Sequence, residues 1–460
     1  MRWFKKTKKS WEITNEDWDL LARMFFRYMN RDVAIPKITN MTQFIEYALA
    51  YNATIYSIIS LRANAAKGIP WVVYKVKNKV KLRQYSSLTK KDLNLHKALS
   101  LKKEALEEVD GTWLNSLLKN PNPLNTLQSL IEEMFIYRDT TGNSYLSAVT
   151  NPVQTEIIQL FSLPADKVEI VAGDFINPVK GYRFDPFSKD IIEPEKVMHW
   201  KYFNPRWDAN GSNLYGMSPL QAAIRIINND NSGVDSQNAA FANEGVKGII
   251  TGTEHTDIEF TAEQGEMLKK KFARHVARAK EGKGNIAFNR APLNYLKIGD
   301  TPVDLGVLDS RKYNKEVLCN LFRIHPSLLS SEASTLNNLT EARKALLTMS
   351  VLPDMDGLRD GLNSLIGRFY EGYFIDYDIM AISELQDDIE KLGNTLKQMD
   401  WVTLNEKRRA TDYDDYDHPG ADLLYTDMGK IPINRDVDTG FDKIDEELDK
   451  ARKKWPAGRK

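Results

Sequence analysis

The sequence predicts an α+β protein of several domains, and three observations predict it. Apolar residues recur at helical spacing toward both ends of the chain, short apolar runs bounded by proline and glycine fill the middle, and strands do not alternate with helices as in a βαβ array. A length of 460 residues leaves room for about two to four domains. The 42% apolar and 27% charged content belongs to chains that bury a core, far from the disordered regime.

The elements follow in order. Behind Thr14, with Asp17 as capping acid, the residues Leu20, Leu21, Met24, Phe25 and Tyr28 predict an amphipathic helix over 12–31. A second helix is expected over 41–66, ending at Gly68 before the strand-like run Pro70 to Tyr74. Residues 84–108, rich in Lys, Leu and Glu, predict a solvated surface helix. From Trp113 the chain reads as a helix, an Asn-Pro-Asn-Pro turn at 120–123, and a helix from Thr126 to Tyr137. Between 144 and 202 lie short strands separated by Pro164, Gly173, Pro178, Asp185-Pro186 and Pro194.

A helix over 218–244 accepts Pro219 in its first turn. Strands are expected over 246–253 and 285–298, with a helix between them behind a Thr261/Gln264 capping box. A helix over 303–323 stops before Pro326, and a polar loop runs through Ser330 to Asn338. Asn338 is expected to cap a long helix reaching Tyr373, bent at Pro353 because proline removes a backbone donor. The last 80 or so residues are acidic and helical, with a capping box at Thr403 and Glu406.

Composition excludes several classes. The only cysteine, Cys319, cannot close an internal disulfide, so a reducing compartment is the default. The basic start MRWFKKTKKSW lacks the apolar stretch of a signal peptide. The uncharged apolar run Tyr47 to Leu61 falls short of the roughly twenty residues that span a bilayer, so no membrane partner is expected. The zero net charge is unevenly spread: +10 over 1–110, −7 over 111–260, +6 over 261–297 and −7 over 376–460. That pattern argues against a strongly basic nucleic-acid binder and for local patches.

Catalytic signatures are missing. There is no Walker A sequence, GxGxxG, CxxC, HExxH or GxSxG, so no enzyme activity and no cofactor are expected. The six histidines lie too far apart in sequence for paired metal ligation. Asp412, Asp414, Asp415 and Asp417 could offer hard oxygen ligands to Ca²⁺ or Mg²⁺. Tyr413, Tyr416 and Pro419 break the EF-hand pattern, leaving a metal-dependent hydrolase as a weak rival reading.

Linked motifs carry a more specific signal. In order they are YSIISLRANAAKGIPWVVY (56–74), Asn-Pro-Asn-Pro, Thr141-Gly142-Asn143-Ser144-Tyr145, and Leu163-Pro164-Ala165-Asp166-Lys167-Val168. His199-Trp200, Tyr215-Gly216-Met217-Ser218-Pro219-Leu220, Phe322-Arg323-Ile324-His325-Pro326, Glu341-Ala342-Arg343 and Leu404-Asn405-Glu406-Lys407-Arg408 follow. Read together over about 45–425, they make the chain resemble the portal proteins of tailed bacteriophages, the head-to-tail connectors of the siphophage type. It departs from that pattern in the insertion 84–108 and in Arg323-Ile324-His325-Pro326, where a Gly-Val-Pro-like turn is usual.

The resemblance implies a portal fold with an α/β wing, paired stem helices, a small α/β clip, a long kinked helix and a helical crown, assembled as a ring commonly of twelve subunits. On this chain it implies a wing over 1–217, stem helices over 218–244 and 303–325, and a clip over 245–302. The tunnel loop would be 326–338, the kinked helix 339–375 and the crown 376–460. It also implies a virion location at one capsid vertex, after synthesis in the host cytoplasm, and a channel for DNA packaging and ejection. The implied partners are double-stranded DNA, the terminase large subunit, major capsid and scaffold proteins, and neck proteins. A structural capsid or baseplate protein without a channel is the other reading.

Candidate residues follow from what a conduit requires. Duplex DNA carries a charge about every 1.7 Å, and each phosphate neutralised by Lys or Arg adds affinity, so a lining rich in cations would hold DNA rather than pass it. Ser330, Ser331, Ser334, Thr335 and Asn337, in a loop with one charge, suit weak and sequence-independent contact. Arg311, Lys312 and Lys315 on the second stem helix can face the pore or a neighbouring subunit. Lys269, Lys270, Lys271 and Arg274 in the clip suit an acidic partner surface, and equally a solvated helix face.

Overall fold

The computed structural model describes residues 41–88, 95–174, 176–184, 190–206, 212–242, 248–252, 261, 263, 266–267, 270, 293–297, 306–329, 336–411, 413–426 and 431–432. The expected helix over 12–31 lies outside them. Two units divide the chain: Met1–Ala223 with Leu318–Lys460, and Ile224–Val317.

The larger unit starts with α1 (Met41–Ile45), a π turn over Glu46–Tyr51 and α2 (Ala53–Lys67). The expected single helix is thus interrupted at Asn52, which is extended and whose side chain accepts from Ile55 N, capping α2. Strand β1 (Trp71–Val76), α3 (Lys79–Ser86), α4 (Leu95–Ala105), β2 (Leu106–Glu108) and α5 (Trp113–Lys119) come next. Helix α6 (Leu127–Thr141) is capped by the reciprocal Thr126–Ser129 pair. After it lie β3 (Asn143–Thr150), β4 (Ile157–Leu163), β5 (Val168–Ala172), β6 (Val179–Phe184), β7 (Ile191–Ile192) and β8 (Val197–Lys201).

Three small sheets result, of order β4-β3-β8, β5-β6-β7 and, with β11 (Tyr373–Tyr377) joining, β11-β1-β2. Every described ladder is antiparallel. The fold is therefore α+β, with helices laid on separate antiparallel sheets.

The insertion does not stand in solvent as its composition suggested. Tyr85, Ala98, Leu101, Ala105 and Leu106 bury themselves with Tyr74 and Phe374 in one cluster, and β2 adds a third strand to the β1–β11 pair. Lys102 is buried too, its ammonium 4.8 Å from the centre of the Tyr74 ring. A lysine stem is apolar, so a Lys-rich helix can bury a face while it keeps its charge in use.

The core of the larger unit is α2 against α6. Helix α2 buries Ile55, Ile58, Ile59, Arg62, Ala63 and Ala66, a stripe of helical period. Arg62 sits inside that stripe and meets Asp139 of α6 at 2.6 Å, Asp354 of α11 (Leu352–Ile366), and the Ser350 carbonyl at 3.4 Å. Tyr202 donates to the other Asp139 oxygen at 2.7 Å. Burial alone would push the Arg62 pKa down, but Asp139, Tyr202 and Asp354 more than offset it and leave it raised. Arg138 pairs with Asp354 at 3.0 Å and lies over the rings of Trp200 and Tyr202, 4.1 and 3.8 Å from their centres.

A second constraint surrounds Gly142. Its φ of +84° closes α6 in the left-handed region, and a Cβ there would lie 2.6 Å from Met217 C and Ser218 N. The neighbouring Asn143 Oδ1 accepts from Gly216 N at 2.6 Å and lies 3.0 Å from His199 Nε2. Ser218 Oγ donates to the Thr140 carbonyl at 2.6 Å. The His199 ring stacks on Tyr145 with centres 4.4 Å apart. Burial, then the charge of Lys201, holds the His199 pKa well below its usual value.

The smaller unit holds α8 (Ile224–Ala242), preceded by α7 (Pro219–Ala222) at the end of the larger unit. The expected 218–244 helix thus breaks at Ala223. Strands β9 (Gly248–Gly252) and β10 (Leu293–Lys297) pair antiparallel within the expected 246–253 and 285–298, the rest of which lies outside the described residues, and α9 (Val307–Leu321) leads out of the unit.

Two outcomes test these constraints. Replacing Arg62 with Met leaves Asp139 buried without its counter-charge and should lower stability by about 3–5 kcal/mol in urea unfolding. His199 is neutral in the fold, so its contribution is complete above the unfolded pKa of about 6.5 and is lost as pH falls below it. The loss of stability between pH 7.5 and 5.5 should be about 1 kcal/mol smaller in His199→Gln, since the limiting slope is about 1.4 kcal/mol per pH unit for one proton.

Candidate functional site

The polar loop singled out in the sequence is bounded by two ordered flanks in the larger unit. On one side α9 ends at Leu321, Arg323 takes a φ of +58°, and Ile324 N donates to the Cys319 carbonyl at 2.9 Å. Pro326–Leu329 then forms a 3-10 turn, with His325 Nδ1 and Ser327 Oγ 2.7 Å apart. On the other side α10 (Leu336–Ala345) begins, a π turn spans Leu346–Val351, and α11 follows.

The loop is therefore shorter than 326–338. The stripe that holds Leu339 and Ala342 extends back to Leu336, so the helix starts two residues before Asn338, and Asn337 lies in its first turn instead of the loop. Ser330, Ser331, Ser334 and Thr335 lie outside the described residues. The irregularity expected at Pro353 falls just upstream, in the π turn, because proline fits the first turn of α11 without losing a hydrogen bond. Helix α11 ends at Ile366, short of Tyr373.

Both flanks are tied to the buried charges. Ser350 Oγ donates to the Phe322 carbonyl at 2.6 Å, and the Arg62 guanidinium lies 5.5 Å from the centre of the Phe322 ring. Arg62 also reaches Ser350 O and Asp354, so one side chain contacts the segment before the loop and the turn after it. Gly357 and Gly361, one turn apart on α11, meet Trp200 and Met198, so α11 lies close on β8. A rigid seat for the loop's ends is the result.

Arg311 is committed within the smaller unit. Its Nε is 3.3 Å from Asp230 Oδ1, and its Nη1 donates to Gln237 Oε1 at 3.0 Å, both on α8. Asn229 donates to Ser310 Oγ at 3.3 Å, while Gly233 leaves room for Val307 and the Arg311 stem. Lys312 is exposed and Lys315 half-buried on α9. Of the cations expected in a clip, Lys270 is helical and exposed, and Lys269, Lys271 and Arg274 lie outside the described residues.

The acidic run is engaged by the chain's own cations. Asp414 meets Lys103 at 3.1 Å, and Asp415 accepts two bonds of 2.7 Å from Arg409, which lower its pKa. Asp412 lies outside the described residues, among which no group of three His, Cys, Asp or Glu side chains is placed to hold a metal. No helix among them is long and apolar enough to cross a membrane.

The Arg62 hub and the Gly142–Asn143–His199 clamp fall within the linked motifs of the sequence, which does not mark them as contacts. A signal existed for the first, a lone arginine in an otherwise apolar helical stripe. For the second it was the run Thr141-Gly142-Asn143, whose partner 73 residues away only the fold reveals.

Comparison with known proteins places this architecture. Residues 53–412 match the family model described as phage portal protein. A protein of Rickettsia bellii (strain RML369-C) described as uncharacterized is 24% identical over 368 residues, covering 78% of this chain and 85% of its own. Among solved structures, a chain from the neck of a native GTA particle computed with C12 symmetry superposes with a TM-score of 0.59 at 18% identity. It covers 86% of this chain and 99% of its own. A chain from the virion of a native gene transfer agent particle gives 0.57 at 20% identity, over 84% and 96%. With a family match that runs from α2 to the C-terminal helices, the chain belongs to the phage portal protein family.

Proposed function

We propose that the protein assembles as a ring of twelve at one capsid vertex, conducts double-stranded DNA during packaging and ejection, and docks the terminase motor and the neck. The observation that carries this reading is the family match over 53–412. The likeness in fold to a chain from a neck computed with C12 symmetry supports the twelvefold ring and a virion location.

In this reading residues 1–217 form the wing, 218–244 and 303–325 the stem, 245–302 the clip, 339–375 the kinked helix and 376–460 the crown. The separation of Ile224–Val317 as its own unit supports treating most of the stem and the clip together. The loop at 330–335, with Ser330, Ser331, Ser334 and Thr335, lines the narrowest passage. Its seat on Arg62 and Ser350 holds its ends, while its hydroxyls offer neutral contacts that leave phosphate counterions in place. Lys269, Lys270, Lys271 and Arg274 face an acidic motor or neck surface. The family is structural, and ATP hydrolysis belongs to the motor.

Native mass spectrometry with negative-stain averaging of the purified protein should give a closed ring of about twelve subunits with an open axial channel. A monomer that stays monomeric with capsid and scaffold proteins present overturns the ring. Replacing Ser334 and Thr335 with Leu should leave the ring intact and reduce packaged DNA at least about tenfold, since apolar side chains lose the polar contacts that keep passage smooth. Unchanged packaging removes the loop from the channel.

A further inference from the structure

The C-terminal segment 401–426 meets the body of the larger unit through α13 (Leu404–Ala410), which packs on α4 of the insertion. Helix α13 itself buries only Asn405 and Ala410, and Ala421 and Leu423 are buried further along the segment. Asn405 is used within the segment, donating to Asp422 at 2.9 Å and accepting from Tyr416 N at 2.8 Å. Arg408 Nε donates to the Asp414 carbonyl at 2.6 Å, and Thr403 and Glu406 cap the helix. The segment therefore closes on itself through its own hydrogen bonds.

Beside this packing, two ion pairs tie it to α4. Lys103 of α4 meets Asp414 at 3.1 Å, and Glu104 of α4 meets Arg409 at 3.8 Å while Lys81 of α3 holds its other oxygen at 2.9 Å. The two bridging pairs run in opposite senses, cation to anion and anion to cation on adjacent residues of α4, which fixes orientation against a reversed or slipped docking. The Asp414 side chain is 92% exposed and those of Lys103 and Glu104 31%, so water and salt reach both pairs.

We propose that the insertion 84–108 and the segment 401–426 form a salt-labile ionic clasp, from which the C-terminal segment leaves as an intact unit while the body stays folded. Opening parts Lys103 and Glu104 from Asp414 and Arg409, while Arg409 keeps its bonds to Asp415. The clasp gives the insertion, charged yet half-buried, a function of its own: it is the seat that decides where the C-terminal segment lies.

Hydrogen exchange by mass spectrometry on the full chain tests this. Raising NaCl from 0.1 to 1 M shortens the screening length from about 10 to about 3 Å, and peptides within 404–423 should exchange about five- to tenfold faster, with α11 unchanged. Lys103→Glu should give the same acceleration at 0.1 M salt, and Lys103→Glu combined with Asp414→Lys should reverse most of it. Exchange of 404–423 that is indifferent to salt, or a double variant no slower than Lys103→Glu alone, overturns the clasp. Acceleration of α11 together with 404–423 also overturns it, because the body would then be opening rather than the segment leaving.

Discussion

The larger unit depends on one buried cation. Arg62 enters an apolar helix face where a charge is costly, and it is kept there by Asp139 from α6 and Asp354 from α11. Because its partners come from three separate stretches of chain, the hub joins α2, α6 and the π turn more selectively than apolar packing could. Stacked beside it, Arg138 between Trp200 and Tyr202 extends the same charge system to β8. Methyl groups would fill such a space in many registers. A guanidinium with fixed forks accepts few.

The same economy governs the two points where the chain passes between units. Before α8, Ser218 is held by the Thr140 carbonyl and Gly216 by Asn143, both behind the left-handed Gly142. After α9, Phe322 is held by Ser350 through its carbonyl and by Arg62 across its ring. Each connection is fixed on the larger unit's side by side chains that satisfy buried backbone groups.

Much of this was legible in the sequence, and the misses have physical causes. Cap chemistry is local, so Thr126, Thr403 with Glu406, and Ser218 mark helix starts that the fold keeps. The class α+β followed from period and punctuation. Burial of a charged helix did not, because composition counts the ammonium of Lys102 and not the four carbons that cover Tyr74. The break at Asn52 was hidden for a related reason: the apolar period continues across it, and only the side-chain bond to Ile55 N shows that a new helix starts there. Of the candidate loop, sequence located the polar stretch. It overran the end, since Asn337 and Asn338 read as loop residues by type although the leucine spacing carries the helix back through them.

Charge pairing also refines what the proposed channel presents to DNA. Counted from sequence, the second stem helix offers three cations at Arg311, Lys312 and Lys315. Arg311 is already bound to Asp230 and Gln237, with the Asp230 side chain only 7% exposed, so a phosphate would have to compete with a carboxylate that is held in place. Affinity for a polyanion grows with the number of phosphates neutralised and falls with salt. A stem whose arginine is taken up internally therefore contributes less to that number than its composition suggests. The same property that would make the helix pair a poor DNA clamp gives it register: Arg311 spans from Asp230 to Gln237, seven residues apart on α8, and fixes how the two helices lie along each other. In the proposed channel, smooth passage and a defined helix pair would thus draw on one interaction, since the arginine that pairs the helices is the one withheld from the duplex.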